Sequence, residues 1–168
     1  MSQKHNILTP EALAFKGHES PIATYEVTEE AVRSYAQALE HPHPHYLDMK
    51  KAKEGPYGTL IAPPTFIHHA FSYAIGEDSL YSLVPRDPLN YALIEGLQFD
   101  VELYGGTEID LYEPIRVGDV LTIRNRIADL YEREGRSGSL AFCVYESTFT
   151  NQHEQLVAKE RYTYIYRK

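Results

Sequence analysis

Tyr57-Gly58-Thr59-Leu60-Ile61-Ala62-Pro63-Pro64-Thr65-Phe66 combines a turn, a double proline and a helix start. Proline fixes φ at about −65° and has no N–H, so it fits the first helical position, where that N–H would have no intrahelical partner. Residues 65–75 therefore read as a helix stopped near Gly76, with Phe66, Ile67, Ala70, Phe71, Ala74 and Ile75 apolar at helical spacing and Tyr73 on another face. A helix this apolar belongs largely inside, wrapped by a sheet.

On the N-terminal side, residues 1–21 are punctuated by Pro10, Gly17 and Ser20-Pro21 and read as an arm or short helix lying on the body, and residues 22–168 as a single domain. Residues 22–27 alternate like a strand. Thr28, followed by Glu29 and Glu30, then opens a helix whose apolar face includes Ala31, Val32, Tyr35, Ala36 and Leu39 and which must end before Pro42. Asp48 to Gly55 reads as one short helical turn closed at glycine. Residues 97–103 alternate and are expected to be either a strand or a lid, after which Gly105-Gly106 leads into a strand over 107–113 and a turn at 114–119. Strands over 120–127, 140–149 and 156–166, separated by polar or glycine-rich turns, form successive antiparallel hairpins. The class is α+β: one strand, helices, then a meander.

The chain's 168 residues suffice for one good core. A formal charge of −8 argues against sequence-independent nucleic-acid binding. The single cysteine, Cys143, sits among Ala141, Phe142, Val144 and Tyr145 and reads as a buried strand thiol rather than a nucleophile. With no leader-like or membrane-length apolar run, a cytoplasmic protein is expected.

Four places together resemble the MaoC-like (R)-specific enoyl hydratase and dehydratase family, specifically its N-terminal, FAS1-like dehydratase half. They are Tyr25-Glu26-Val27-Thr28, Ala62-Pro63-Pro64-Thr65-Phe66, the run from Gly105-Gly106-Thr107-Glu108 to Pro114-Ile115-Arg116-Val117-Gly118-Asp119, and Phe149-Thr150-Asn151-Gln152. The resemblance covers nearly the whole chain beyond the arm. It implies a hot-dog fold, in which a curved antiparallel sheet wraps a central helix. It further implies pairing with a second such sheet as a homodimer or heterodimer, and binding of an acyl-CoA or acyl-carrier-protein thioester in a tunnel at the interface. No cofactor and no metal are expected.

Active members of the resembled group carry Gly-Asp-x-Asn-Pro-x-His, whose Asp and His handle a water across the enoyl double bond. Here the aligned residues read Glu40-His41-Pro42-His43-Pro44-His45-Tyr46, with His41 in place of the Asp and Tyr46 in place of the His. Active members also have Ala-His-Gly where Ala62-Pro63-Pro64 stands, and proline cannot donate the N–H that helps hold the thioester oxyanion. Any surviving oxyanion hole would use the amides of Thr65 or Phe66. The resemblance thus implies a substrate-binding half that relies on a partner for the dyad, with Pro63, Pro64, Thr65, Phe66, His69 and Arg116 as substrate-binding candidates.

The residues leave other roles open. His41 or His43 has the chemistry of a general base near neutral pH, and Tyr46 can orient a substrate or water. Three histidines within five residues suggest a metal site. In extended chain, however, alternate side chains lie about 7 Å apart, wider than two ligands on one zinc, so an exposed turn is expected. His68 and His69 point about 100° apart on a helix and cannot share one pocket. Glu108 is a candidate for activating water in thioester hydrolysis. Autonomous hydration, thioester hydrolysis and non-enzymatic acyl-CoA binding are the alternatives to the substrate-binding half.

Overall fold

The structure is a computed structural model that describes residues 7–74, 94–135 and 138–168. Its helices begin where the sequence supplies caps. The Thr28 hydroxyl accepts the Ala31 amide at 3.2 Å and opens α2, numbered after the short α1 (Pro10–Leu13) and covering Glu29–Ala38. Glu29 and Glu30 lie at the positive end of its dipole. Helix α3 (Pro44–Leu47) starts at Pro44 with His43 as its cap, and Asp48 caps α4 (Met49–Glu54) by accepting the Lys51 amide. The central helix, α5, is Phe66–Ala74, with Phe66, Ile67, Ala70 and Phe71 buried. Its expected end at Ile75 and Gly76 lies outside the described residues.

Five strands form one antiparallel sheet: β1 (Ala23–Glu26), β2 (Val101–Leu111), β3 (Val120–Gly135), β4 (Gly138–Thr150) and β5 (Leu156–Arg167). Their spatial order is β1-β3-β4-β5-β2, so β3, β4 and β5 are the meander expected from the sequence.

The expected layout is corrected in two places. Gly105-Gly106 does not begin a new strand. Residues 101–111 form one strand, with a register shift between Tyr104 and Gly106, and Gly106 has φ of 119°, a value natural only to glycine. The turn expected at 114–119 lies between β2 and β3, which are not neighbours in the sheet: β2 pairs with β5 at the far edge while β3 pairs with β1 and β4. Leu39, expected on the buried face of α2, is the helix's C-cap and is exposed. Residues 97–100 precede β2, with Leu97 bridging to Leu8 of the arm.

The inner face of the sheet carries two apolar cores. The first packs α5 on Val27, Leu121, Ile123, Phe149, Val157 and Ala158. The second sets Ile7, Leu8 and Ala12 of the arm against Ile127, Leu130, Ala141, Cys143, Tyr145 and Tyr166. Each fully buried Leu, Ile or Phe contributes about 1.5–3 kcal/mol, and these two clusters hold the sheet's curve. Between them runs a polar row in register across three strands, Asn125 opposite Ser147 and Ser147 opposite Glu160, all three buried.

Candidate functional site

The segment that joins α4 to α5 is pinned on both sides. The Ile61 amide donates to the His45 carbonyl, the Ala62 amide to Ile115, and the Val117 amide to Leu60. This places the start of α5 beside the end of β2, and between them opens a cleft of about 350 Å³ lined by Tyr46, Tyr57, Pro64, Leu111, Tyr112 and Glu113 among others. Its walls are aliphatic and phenolic with one carboxylate, a lining suited to an apolar chain with a polar group at one end.

Of the residues singled out in the sequence, Tyr46 and Pro64 line this cleft. His41 and His43 are exposed and stand edge-on or tilted to Tyr46, with ring centroids 5.4 and 5.5 Å away. The His segment is not extended throughout, because Pro44 starts a helix there and brings the His43 and His45 rings to 4.7 Å. His43 is engaged locally, its Nδ1 accepting the His45 amide at 3.3 Å. Among the described residues no group of three or more His, Cys, Asp or Glu is arranged to hold a metal ion.

Pro63 is buried behind the cleft and its carbonyl accepts the Phe66 amide at 2.9 Å, which commits one of the two candidate oxyanion donors to the helix start. The Thr65 amide is the remaining candidate. Thr65 is held from the side by Tyr35 of α2, whose hydroxyl donates to the Thr65 carbonyl at 2.9 Å and to its Oγ1 at 3.1 Å. The Phe66 side chain itself belongs to the core. Arg116 sits where residue 61 bridges to it, and its guanidinium donates to the Pro114 carbonyl at 3.3 Å.

The two histidines of α5 face different partners. His69 lies half-buried among Tyr25, Tyr35, Phe66 and Tyr73, and its Nε2 shares a 2.9 Å hydrogen bond with the Tyr25 hydroxyl. Burial lowers the His69 pKa, and burial followed by the neighbouring Tyr73 raises that of Tyr25. His68 approaches the buried Glu160 carboxylate, Nδ1 to Oε1, at 2.9 Å. Hydrogen bonding to Glu160, helped by its charge, holds the His68 imidazole above its ordinary value against the pull of burial.

Two further expectations concern other faces. Glu108 pairs in register with Arg161, on the opposite side of β5 from Glu160, so it lies on the outer face of the sheet, away from α5. There it lines a groove of about 450 Å³ with Asp129 and Arg161. Cys143 is fully buried and its thiol is pushed up to about 12 by burial, so it is no nucleophile near neutral pH. The sequence reading missed Tyr57, Leu111, Tyr112, Glu113 and Ile115 as cleft residues, and Tyr25, Tyr35 and Glu160 as partners of α5. No local pattern marks them, because they are brought to α5 from the loop before it, from the end of β2 and the segment beyond, and from β1, α2 and β5.

A single curved antiparallel sheet wrapped on an apolar helix, with a cleft at the helix start, defines a hot-dog domain. The chain belongs to the family described as FAS1-like, dehydratase domain region, whose model matches residues 14–160. It is similar to the UPF0336 protein of Streptomyces griseus, with 34% identity over 107 residues, 64% of each chain, so that match spans a little under two thirds of the relative's length. It is 30% identical over 135 residues to UPF0336 protein Franean1_6066 of Parafrankia, 80% of each chain.

Solved structures share the fold. The ChsH1-ChsH2 complex of Mycobacterium tuberculosis superposes with a TM-score of 0.76 at 19% identity, covering 94% of this chain and 90% of the other. The truncated HadBC (3R-hydroxyacyl-ACP dehydratase) complex of the same organism gives 0.66 at 21%, covering 90% and 96%. The R-hydratase PhaJ1 of Pseudomonas aeruginosa gives 0.62 at 14%, covering 91% and 82%. Among the described residues no helix is long and apolar enough to cross a membrane.

Proposed function

We propose that this chain is the substrate-binding half of a two-subunit acyl-thioester hydratase or dehydratase, taking an enoyl or 3-hydroxyacyl group carried on coenzyme A or a carrier protein. The observation that carries this reading is the cleft between Tyr46, Pro64 and the end of β2. It is large enough for part of an acyl chain and sits at the start of α5, yet the positions that the resemblance sets against the Asp and His of active family members are His41 and Tyr46, and the adjoining Pro63-Pro64 offers no amide N–H. In this reading the chain binds and orients the thioester, with the Thr65 amide at the positive end of α5 near the carbonyl, and a second hot-dog subunit supplies the groups that move the proton and the water. Two observations support a partner. The exposed edge strand β2 presents Leu103, Tyr104 and Leu111, with Tyr112 just beyond it, and two of the similar solved structures are named as complexes of two subunits.

The deciding experiment is hydration of a short enoyl-CoA, followed by loss of its ultraviolet absorbance, with the purified chain alone and then with a second hot-dog subunit encoded beside it. Activity only in the mixture supports the binding half. Turnover by the chain alone would move the chemistry to His41 or His43, and coenzyme A binding without turnover in any mixture would make it an acyl-CoA binding protein.

A further inference from the structure

We propose that His68 and His69 act as a pair of positioning residues that seat α5 with His68 protonated and His69 neutral, and that this seating sets the Thr65 end of the helix against Tyr35. The geometry makes opposite demands on two neighbouring imidazoles. Glu160 is 1% exposed in the middle of the sheet, and among the described residues its Oε1 has no satisfying group other than His68, 2.9 Å away. A buried carboxylate that loses its counter-charge is strongly destabilising, so the seated helix selects His68 as a cation. One residue on, His69 is packed between Phe66 and Tyr73, with ring centroids 4.9 and 4.3 Å away, and is hydrogen-bonded to Tyr25 on β1. Either neutral tautomer satisfies that bond, and the surrounding rings replace the water that a cation would need.

The groups that face the pair do not blur this assignment. Ser147 and Ile109 flank Glu160 in register, and the Tyr104 phenol on β2 is raised by burial and then by the Glu160 charge. Tyr25, Tyr35 and Tyr73 face His69. Among the described residues no lysine, arginine or second carboxylate perturbs either imidazole. The helix start is coupled to the same contacts, since the Tyr35 ring stands tilted to the His69 ring, with centroids 5.7 Å apart, and its hydroxyl holds Thr65.

The linkage signs give the pair a pH window. The folded state holds the His68 proton more tightly than the unfolded chain, so that stabilisation is complete below the ordinary value of 6.5 and is lost as pH rises through the raised one. For His69 the folded state releases the proton more readily, so stability is complete above 6.5 and is lost as pH falls toward the lowered value. The two together place the best seating of α5 near 6.5.

The experiment is a pH titration of the isotopically labelled full chain by NMR, following both imidazoles, assigned through their backbones, and the amides of Thr65 and Phe66. The expected result is a midpoint above 6.5 for His68 and below it for His69, with the Thr65 and Phe66 amides moving at both midpoints. Glu160→Gln should bring the His68 midpoint down and leave that of His69 in place. Two ordinary midpoints, or amides that ignore both titrations, would overturn the proposal, and the wild-type protein alone decides this should Glu160→Gln not fold. The inference rests on the proposed function only for its consequence, that thioester affinity follows the same window. Absence of enoyl-CoA binding at every pH would remove the proposed function and leave the titration result standing.

Discussion

Ser147 of β4 donates its hydroxyl to Asn125 Oδ1 of β3 at 3.2 Å, at the seam where the two apolar cores of the sheet meet. Both residues are buried, so water cannot replace this bond when it is lost. Ser147→Ala should therefore lower stability by about 1–3 kcal/mol. Urea unfolding would show the midpoint shift with an unchanged slope, and no shift would mean that the polar row contributes nothing to stability.

The bulge in β2 should tolerate substitution poorly at both of its glycines. A Cβ on Gly105 would stand 3.1 Å from the Thr163 backbone oxygen and from Ile165 Cδ1, whereas Gly106 has open space but φ of 119°. Gly105→Ala should cost through crowding and Gly106→Ala through backbone strain, each on the order of 1–3 kcal/mol. Thermal denaturation of the two variants checks both.

Phe66 is fully buried at the start of α5 and meets Tyr25 and Tyr35 edge-on. Phe66→Ala should lower stability by about 3–5 kcal/mol, and Phe66→Leu by far less, because leucine refills most of the volume. Chemical denaturation separates the two cases.

Cys143 should resist thiol reagents in the folded protein, since burial holds its pKa at about 12 and its side chain is inaccessible. Labelling should be complete in denaturant and negligible at pH 8 without it. Fast labelling of the native chain would show that the second core opens readily.

His41→Ala should leave turnover of the proposed two-subunit enzyme within about threefold of wild type, because an exposed histidine outside the cleft lining is not placed as a base. A loss of about a hundredfold would assign it general-base chemistry and refute the binding-half reading.

Much of the fold was legible because its signals act over a few residues. Thr28 and Asp48 each cap the helix that follows, and Pro63-Pro64 leads directly into α5. The alternation of residues 120–166 maps onto β3, β4 and β5, and Cys143 lies where its neighbours suggested, inside a strand. At the candidate site the reading was right about His68 and His69 facing apart, and Tyr46 and Pro64, singled out separately, line one cleft. It left both Thr65 and Phe66 as oxyanion donors, and it had no means of finding the Phe66 amide's bond to Pro63.

Element types, the apolar central helix and the meander are all written in the order of residues, since caps, prolines and alternation need no knowledge of distant neighbours. Three-dimensional packing alone sets β2 beyond β5, makes Gly105-Gly106 a bulge within one strand, and gives Glu160 to His68 and Tyr25 to His69. These depend on strand register and on which faces share a core. Register is set by long-range packing, and a shift of one residue turns every side chain to the other face.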